Sequence, residues 1–332
     1  MKKPVIAISM GDPNGIGLEV ILKFLKQYDL SNSIPVLVGN GNVLEYYSEI
    51  CDIHLPIRRF SEKDSLENGN VYLLDLNESS NFKINPGEIS NLAGKMAMKA
   101  VEKGIELCMN KQADALVTAP ISKESINLAG YNIPGHTEFL AEKTKTEEVV
   151  MVLASEILRV ALATIHIPLK DVSRSITKGI IQRNLRILQK SLKVDFGIYE
   201  PKIAVLGLNP HAGDGGVIGK EEIDIIRPAL DELSSEGLNV VGPYAADGYF
   251  GNGMHEHFDA TFAMYHDQGL IPFKTLTFGE GVNFTAGLPI IRTSPDHGTA
   301  FDIAGKNIAN MHSFQSAYKM AEMMAQNRIR KS

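Results

Sequence analysis

The sequence predicts an α/β protein of two domains built on largely parallel sheets, and three observations predict it. Short apolar, β-branched runs recur, each followed by a Gly, Pro or Asn turn and then a helix-like stretch, which is the pattern of βα units. The chain has 332 residues, 44% of them hydrophobic and 22% charged, enough for two cores of about 150 residues each. No internal repeat, low-complexity tract or long linker separates the halves, so the domains are expected to share strands across a cleft rather than hang on a tether.

The first expected strand is Val5-Ile6-Ala7-Ile8-Ser9. It runs into Gly11-Asp12-Pro13-Asn14-Gly15-Ile16-Gly17 and then a helix carrying Val20, Ile21, Phe24 and Leu25 on one face at helical spacing. Further strands are expected at 34–38, 71–74 and 115–118, with a long helix over 91–110 whose Met, Ala, Val, Ile and Leu positions suit packing on a sheet. The second half repeats the style, with strands at 149–153, 158–165, 203–208 and 260–265 and amphipathic crossover helices at 177–194 and 220–236. Then come strand-like pieces at 283–285 and 288–292, a polar loop at 294–306 and a closing helix through about Asn327. This last segment is expected to return to the first domain. The expected division is 1–130 plus 275–332 against 131–274.

Composition excludes some functions. A formal net charge of -6 and the lack of any Lys/Arg-rich block argue against nucleic acid. Cys51 and Cys108 are too few for a disulfide framework and read as buried small side chains. The amino end enters a strand at once without the apolar region of a signal peptide, and no apolar run reaches membrane-spanning length, so a cytoplasmic protein with no membrane partner is expected.

Chemistry concentrates at strand ends. Asn209-Pro210-His211-Ala212-Gly213-Asp214-Gly215-Gly216 follows an apolar strand, which delivers His211 to the sheet edge where open α/β folds hold ligands. His166 and His266 follow apolar runs in the same way. Imidazole commonly binds zinc and similar ions, and three protein ligands with an open position form a catalytic site. Singly, each histidine reads first as a hydrogen-bonded loop or core residue; three in matching positions put the metal reading level with that one. His255 and His257, in a polar stretch without a preceding strand, read as exposed loop. Asp267, Asp247 and Asp214 are placed to orient a ligand or accept a proton, with turn chemistry as the plain alternative.

The glycine-rich loops do not fit a nucleotide fingerprint. Gly11-x-x-x-Gly15-x-Gly17 has the wrong spacing, and Gly213-x-Gly215-Gly216-x-x-Gly219-Lys220 places Glu221 where a P-loop needs Ser or Thr, so a standard Rossmann site is disfavoured. His136 and Thr137 open a helix as an anion site would, with Thr137 as a plain N-cap the alternative. Lys274, Asn283 and Arg292 together suit a phosphate or carboxylate, although each cation taken singly reads as a solvated surface charge.

Several blocks in one order carry a more specific signal. They are Gly11-Asp12-Pro13-x-Gly15-Ile16-Gly17, Thr118-Ala119-Pro120-Ile121-x-Lys123, Gly135-His136-Thr137-Glu138, residues 158–166, Leu208-Asn209-Pro210-His211-Ala212-Gly213, Ala263-Met264-Tyr265-His266-Asp267-Gln268-Gly269, and 292–300. Over nearly its whole length the chain resembles the 4-hydroxythreonine-4-phosphate dehydrogenase family of pyridoxal phosphate synthesis. The resemblance implies two α/β/α domains flanking a cleft, as in isocitrate and isopropylmalate dehydrogenases. It implies a homodimer with the active site at the subunit interface, and one divalent metal, zinc, magnesium or cobalt, on His166, His211 and His266. It assigns His136, Thr137, Lys274, Asn283 and Arg292 to a small phosphorylated hydroxy-acid substrate. The loop with His297, Gly298, Thr299, Ala300 and Asp302 resembles the segment with which those relatives hold the adenosine part of NAD, or NADP. Asp247 and Lys274 are the catalytic candidates, Asp247 as proton acceptor. Departures from the family pattern are Asn14 in place of alanine, Leu18 in place of proline, and the segment 248–257. A related branch acts on D-threonate or D-erythronate 4-phosphate, and a non-catalytic metal- or phosphate-binding protein on the same fold is the alternative of another class.

Overall fold

The computed structural model describes residues 2–62, 64–76, 82–133 and 136–331, without the side chain of His136. The chain divides into two compact units, one of Met1–Glu147 with Leu288–Ser332 and the other of Glu148–Gly287.

The first unit opens with β1 (Val5–Ser9), buried throughout, and α1 (Gly17–Gln27), which buries Val20, Ile21, Phe24 and Leu25 as its 3.6-residue period requires. β2 (Ile34–Gly39) leads to α2 (Gly41–Cys51), where the Asn40 side chain accepts hydrogen bonds from the amides of Asn42 and Val43. β3 (Ile57–Arg59), β4 (Val71–Asp75), α3 (Asn91–Met109), β5 (Ala115–Thr118), α4 (Lys123–Leu128) and α5 (His136–Lys143) follow.

The second unit holds β6 (Val150–Ala154), β7 (Arg159–Leu162), α6 (Leu169–Ser175), α7 (Lys178–Val194) and β8 (Lys202–Leu206). A π turn at Glu222–Ile226 leads into α8 (Arg227–Ser235), followed by β9 (Asn239–Tyr244), α9 (Ala246–Gly251), β10 (Ala260–Ala263), α10 (His266–Thr277) and β11 (Val282–Ala286). The chain then re-enters the first unit with β12 (Arg292–Pro295) and α11 (His312–Lys331).

Strand order in the first unit is β3-β4-β2-β1-β5-β12, with parallel pairing from β3 through β12. In the second it is β11-β6-β7-β10-β8-β9, where β6 runs antiparallel to β11 and β7 and the remaining pairs are parallel.

Several limits differ from those read in the sequence. Residues 131–147 stay with the first unit because α5 packs on α3, and 275–287 stay with the second because β11 pairs with β6. Pro289 has no amide to give a ladder, and the strand expected at 288–292 begins instead at Arg292 and runs to Pro295. β3 and β9 lie outside the expected set. β3 is a short Ile-Arg-Arg edge, and β9 contains Gly242-Pro243, two residue types depleted in strands. At Gly242 the φ of +152° and the carbonyl of Val205, 2.3 Å from where a Cβ would stand, require glycine, and the register slips between Ala204 and Leu206.

Candidate active site

In the second unit β7, β10 and β8 are adjacent and parallel, so their carboxyl ends share one edge. His166 follows β7, His211 follows β8, and His266 opens α10 just after β10. The rings of His166 and His266 stand 6.0 Å apart with planes at 42°. Asp267 Oδ1 lies 2.7 Å from His266 Nδ1, the carboxylate–histidine arrangement that orients an imidazole and leaves Nε2 for a ligand. Nitrogen donors with a carboxylate behind one of them fit a divalent ion of the zinc or cobalt type. His211 is exposed, and among the described residues no group of three His, Cys, Asp or Glu could hold a metal ion. His166 and His266 are thus the pair seen in ring contact.

The strand ends are tied to one another. Thr164 Oγ1 donates to the Met264 carbonyl at 2.8 Å, linking β7 to β10. Gln268 accepts from the Met264 amide at 2.7 Å and donates to the Gly207 carbonyl at 2.6 Å, linking β10 to β8. Neither Gln268 nor the buried Glu222, which accepts from the amides of Leu208 and Asn209, was singled out from sequence. Gln268 lies in the motif around His266, which was its only signal; Glu222 had none beyond falling in an expected helix.

The turn carrying His211 has an unusual backbone. Over Pro210–Gly216 the φ angles of His211, Ala212, Gly213, Asp214 and Gly215 are 53°, 51°, 82°, 44° and 64°. For the non-glycine residues this left-handed region costs roughly 1–2 kcal/mol each, so the surrounding structure must enforce it. Asp214 is an exposed member of this turn.

Asp247 lies exposed in the first turn of α9, beyond β9 and thus along the same sequence of strand ends. That helix is anchored by Tyr249, whose hydroxyl is 2.8 Å from Thr261 Oγ1 and whose ring packs with those of Tyr244, Phe250 and Phe258. His255 joins this cluster, 6.0 Å from the Phe250 ring, and is buried, whereas the sequence read it as exposed; His257 is exposed. The correction follows from the aromatic residues on both sides, which close over the short turn Met254–His257 without any periodicity to announce it. Lys274 is exposed on α10. Asn283, on β11, is half-buried with its Oδ1 enclosed and without a hydrogen-bond partner.

The first unit contains a different feature. Arg292 is 1% exposed at the start of β12, and its Nε and Nη2 donate to Thr118 Oγ1 at 3.1 and 2.8 Å. Its Nη1 is buried without a partner, and burial alone pulls the guanidinium pKa down to about 9. The plain alternative for a single arginine, a solvated surface charge, does not describe this buried side chain. A guanidinium taken out of water without a counter-ion is costly, which suits a group that receives an anion. Thr137 is half-buried in the first turn of α5, and the His136 side chain lies outside the described residues.

The nucleotide candidates line one loop of the same unit. His297 Nδ1 is 3.0 Å from the Gly298 carbonyl, and its Nε2 is buried without a partner, as suits a group that meets a ligand. The Thr299 carbonyl accepts from the Ile16 amide at 3.1 Å; Ala300 has φ 45°, and Gly298 and Asp302 are exposed. Asn14, buried, binds the neighbouring segment at three points: its Nδ2 donates to the Glu88 carbonyl at 2.8 Å, its Oδ1 accepts from the Asn85 amide at 3.0 Å, and its carbonyl accepts from the Gly87 amide at 2.8 Å. A Cβ at Gly87 would stand 2.8 Å from the Phe301 carbonyl, so 85–88 packs directly on the loop that carries His297 to Asp302.

Parallel strands that carry histidines to one edge in the second unit, and a buried arginine without a counter-ion in the first, belong to an α/β protein with polar groups at its strand ends. The chain belongs to the family described as pyridoxal phosphate biosynthetic protein PdxA, whose model matches residues 31–321. A relative from Prosthecochloris aestuarii named 4-hydroxythreonine-4-phosphate dehydrogenase is 44% identical, covering 97% of this chain and 98% of its own. A protein of the same name from Bacteroides thetaiotaomicron is 43% identical over 98% of this chain and 90% of its own. The crystal structure of the Klebsiella pneumoniae protein of that name superposes with a TM-score of 0.88 at 38% identity, covering 98% of each chain. No helix among the described residues is long and apolar enough to cross a membrane.

Proposed function

We propose that this chain is an NAD- and divalent-metal-dependent 4-hydroxythreonine-4-phosphate dehydrogenase of pyridoxal 5'-phosphate biosynthesis. It oxidises 4-phosphohydroxy-L-threonine to 2-amino-3-oxo-4-phosphohydroxybutanoate, which loses carbon dioxide to give 3-amino-2-oxopropyl phosphate. Relatives of that name at 44% and 43% identity support the reading. The observation that carries it is Arg292, a buried guanidinium with an unpartnered Nη1, which is what a phosphorylated acid requires. His166 and His266, whose rings stand 6.0 Å apart, would hold the ion with His211, and the proposal includes a homodimer with the site at the subunit interface. The same proposal includes an isocitrate/isopropylmalate dehydrogenase-like α/β fold and a cytoplasmic location.

When bound, a divalent ion would supply Lewis-acid polarisation at the substrate's secondary hydroxyl and a nicotinamide would supply the hydride acceptor. The chain's residues do the rest. Arg292, Lys274, Thr137 and His136 hold the anionic ends and so fix the reacting carbon. Asn283 Oδ1, enclosed and unpartnered, accepts a hydrogen bond from the substrate amino group. Asp247 takes the hydroxyl proton, Asp267 holds the His266 ring in orientation, and His297 through Asp302 hold the adenosine side of the nucleotide.

The test follows NADH formation with the amino acid phosphate and with D-threonate and D-erythronate 4-phosphates side by side. Faster turnover of the amino substrate is expected; a clear preference for the hydroxy acids replaces the reading, and no NADH with any of them overturns it. Arg292→Met is expected to cut turnover by roughly 100-fold while leaving the thermal midpoint unchanged or higher, because removing a buried charge without a counter-ion relieves a desolvation cost. Burial lowers the folded guanidinium's pKa to about 9, and a bound anion favours its charged form, so inorganic phosphate is expected to bind more weakly at high pH than at neutral pH.

A further inference from the structure

The left-handed turn that bears His211 closes on one carboxylate. Glu222 is 1% exposed; its Oε1 accepts from the amides of Leu208 and Asn209, each at 2.8 Å, and its Oε2 accepts from Asn209 Nδ2 at 2.9 Å. Asn209 Nδ2 also reaches Glu221 Oε2 at 2.8 Å, and Ser173 at the other side donates to Glu221 Oε1 at 2.7 Å, which together hold the Glu221 carboxyl below its usual range. Two glycines of the loop face the same group, and a third faces its partner Asn209. A Cβ at Gly213 would stand 2.7 Å from Glu222 Oε2, one at Gly207 3.1 Å from Glu222 Oε1, and one at Gly219 2.3 Å from Asn209 Nδ2. Glu222 is the first residue of the π turn Glu222–Ile226, a distortion that re-aims a helical side chain and recurs at functional sites.

We propose that Glu222 is the positioning residue for His211. Its carboxylate grips the entry of the left-handed turn through Leu208 and Asn209 and meets the middle of the turn at Gly213, so it sets where the imidazole faces a divalent ion. The buried negative charge behind the loop also favours a cation in front of it. The proposal rests on the metal reading of His211, and the experiment separates the two.

Metal-stripped full-length protein is titrated with Zn2+ by calorimetry, and its Co2+ form is recorded in the visible region. Glu222→Gln keeps one acceptor oxygen but turns an amide toward the Asn209 Nδ2 donor. It is expected to weaken Zn2+ binding ten- to a hundredfold, roughly the effect of losing a group that orients a ligand, and to shift the cobalt bands. A purely structural Glu222 would lower the thermal midpoint and leave affinity and bands as they are, and that result overturns the proposal. Gly213→Ala, which keeps the carboxylate and presses a methyl against it, is expected to give the same loss and carries the test where Glu222→Gln does not fold. If His211→Ala retains full Zn2+ affinity, the metal reading itself falls. Loss in His211→Ala with wild-type affinity in Glu222→Gln removes only the positioning role.

Discussion

The loops at 11–17 and 207–219 each follow a buried strand and each is rich in glycine, yet they are built in opposite ways. In the first, glycines permit packing: a Cβ at Gly11 would stand 2.5 Å from the Pro120 carbonyl, and one at Gly17 2.5 Å from the Met10 carbonyl. Asp12 and Asn14 are each 1% exposed, Asp12 Oδ1 accepts from the Asn14 amide at 2.9 Å, and burial raises the Asp12 carboxyl above its usual range. The second loop is largely exposed and holds non-glycine residues in left-handed conformations around Glu222. One loop removes side chains to let backbone touch backbone. The other keeps an imidazole in a conformation it disfavours, which is where a binding role is expected. A glycine pattern alone does not separate packing from strain; the φ angles of the non-glycine residues do.

Substitutions that trade one behaviour for the other sharpen the contrast. Gly11→Ala combines a φ of +75° with a backbone clash, so a stability loss of roughly 3 kcal/mol or more is expected in denaturant unfolding. An effect under about 1 kcal/mol would show that the first loop yields as the second does. His211→Gly goes the other way. It is expected to raise stability by roughly 1 kcal/mol, because glycine accepts the left-handed backbone, while turnover and metal content collapse. A variant less stable than the parent removes the strain argument. The smallest effect is expected at Asn14→Ala, which strips two side-chain hydrogen bonds from the 85–88 segment at a cost of about 2 kcal/mol or less and raises the KM for NAD with kcat nearly kept. An unchanged KM separates that segment from the nucleotide.

Much of the fold was legible along the chain because strand and helix periods are local properties. The strand at Val5–Ser9, the helix at Asn91–Met109 and the crossover helix at Lys178–Val194 stand where their apolar periods place them. β9 was not legible, because its Gly242-Pro243 pair forms a bulged edge that only its neighbour β8 defines. His255 was misread because its burial is conferred by Phe250 and the rings around it rather than by its own flanking residues.

The sequence by itself determined that three histidines end apolar runs, that arginine and lysine lie in the last third, and that no dinucleotide fingerprint is present, since each is a matter of residue type and spacing. Tertiary structure decided the rest. It set β7, β10 and β8 side by side, brought the rings of His166 and His266 to 6.0 Å, and buried Arg292 with one nitrogen unanswered. The physical reason is that strand order, burial and the partner of a buried charge depend on residues far apart in the chain. Arg292 and Thr118, 174 positions apart, meet only because β12 pairs with β5.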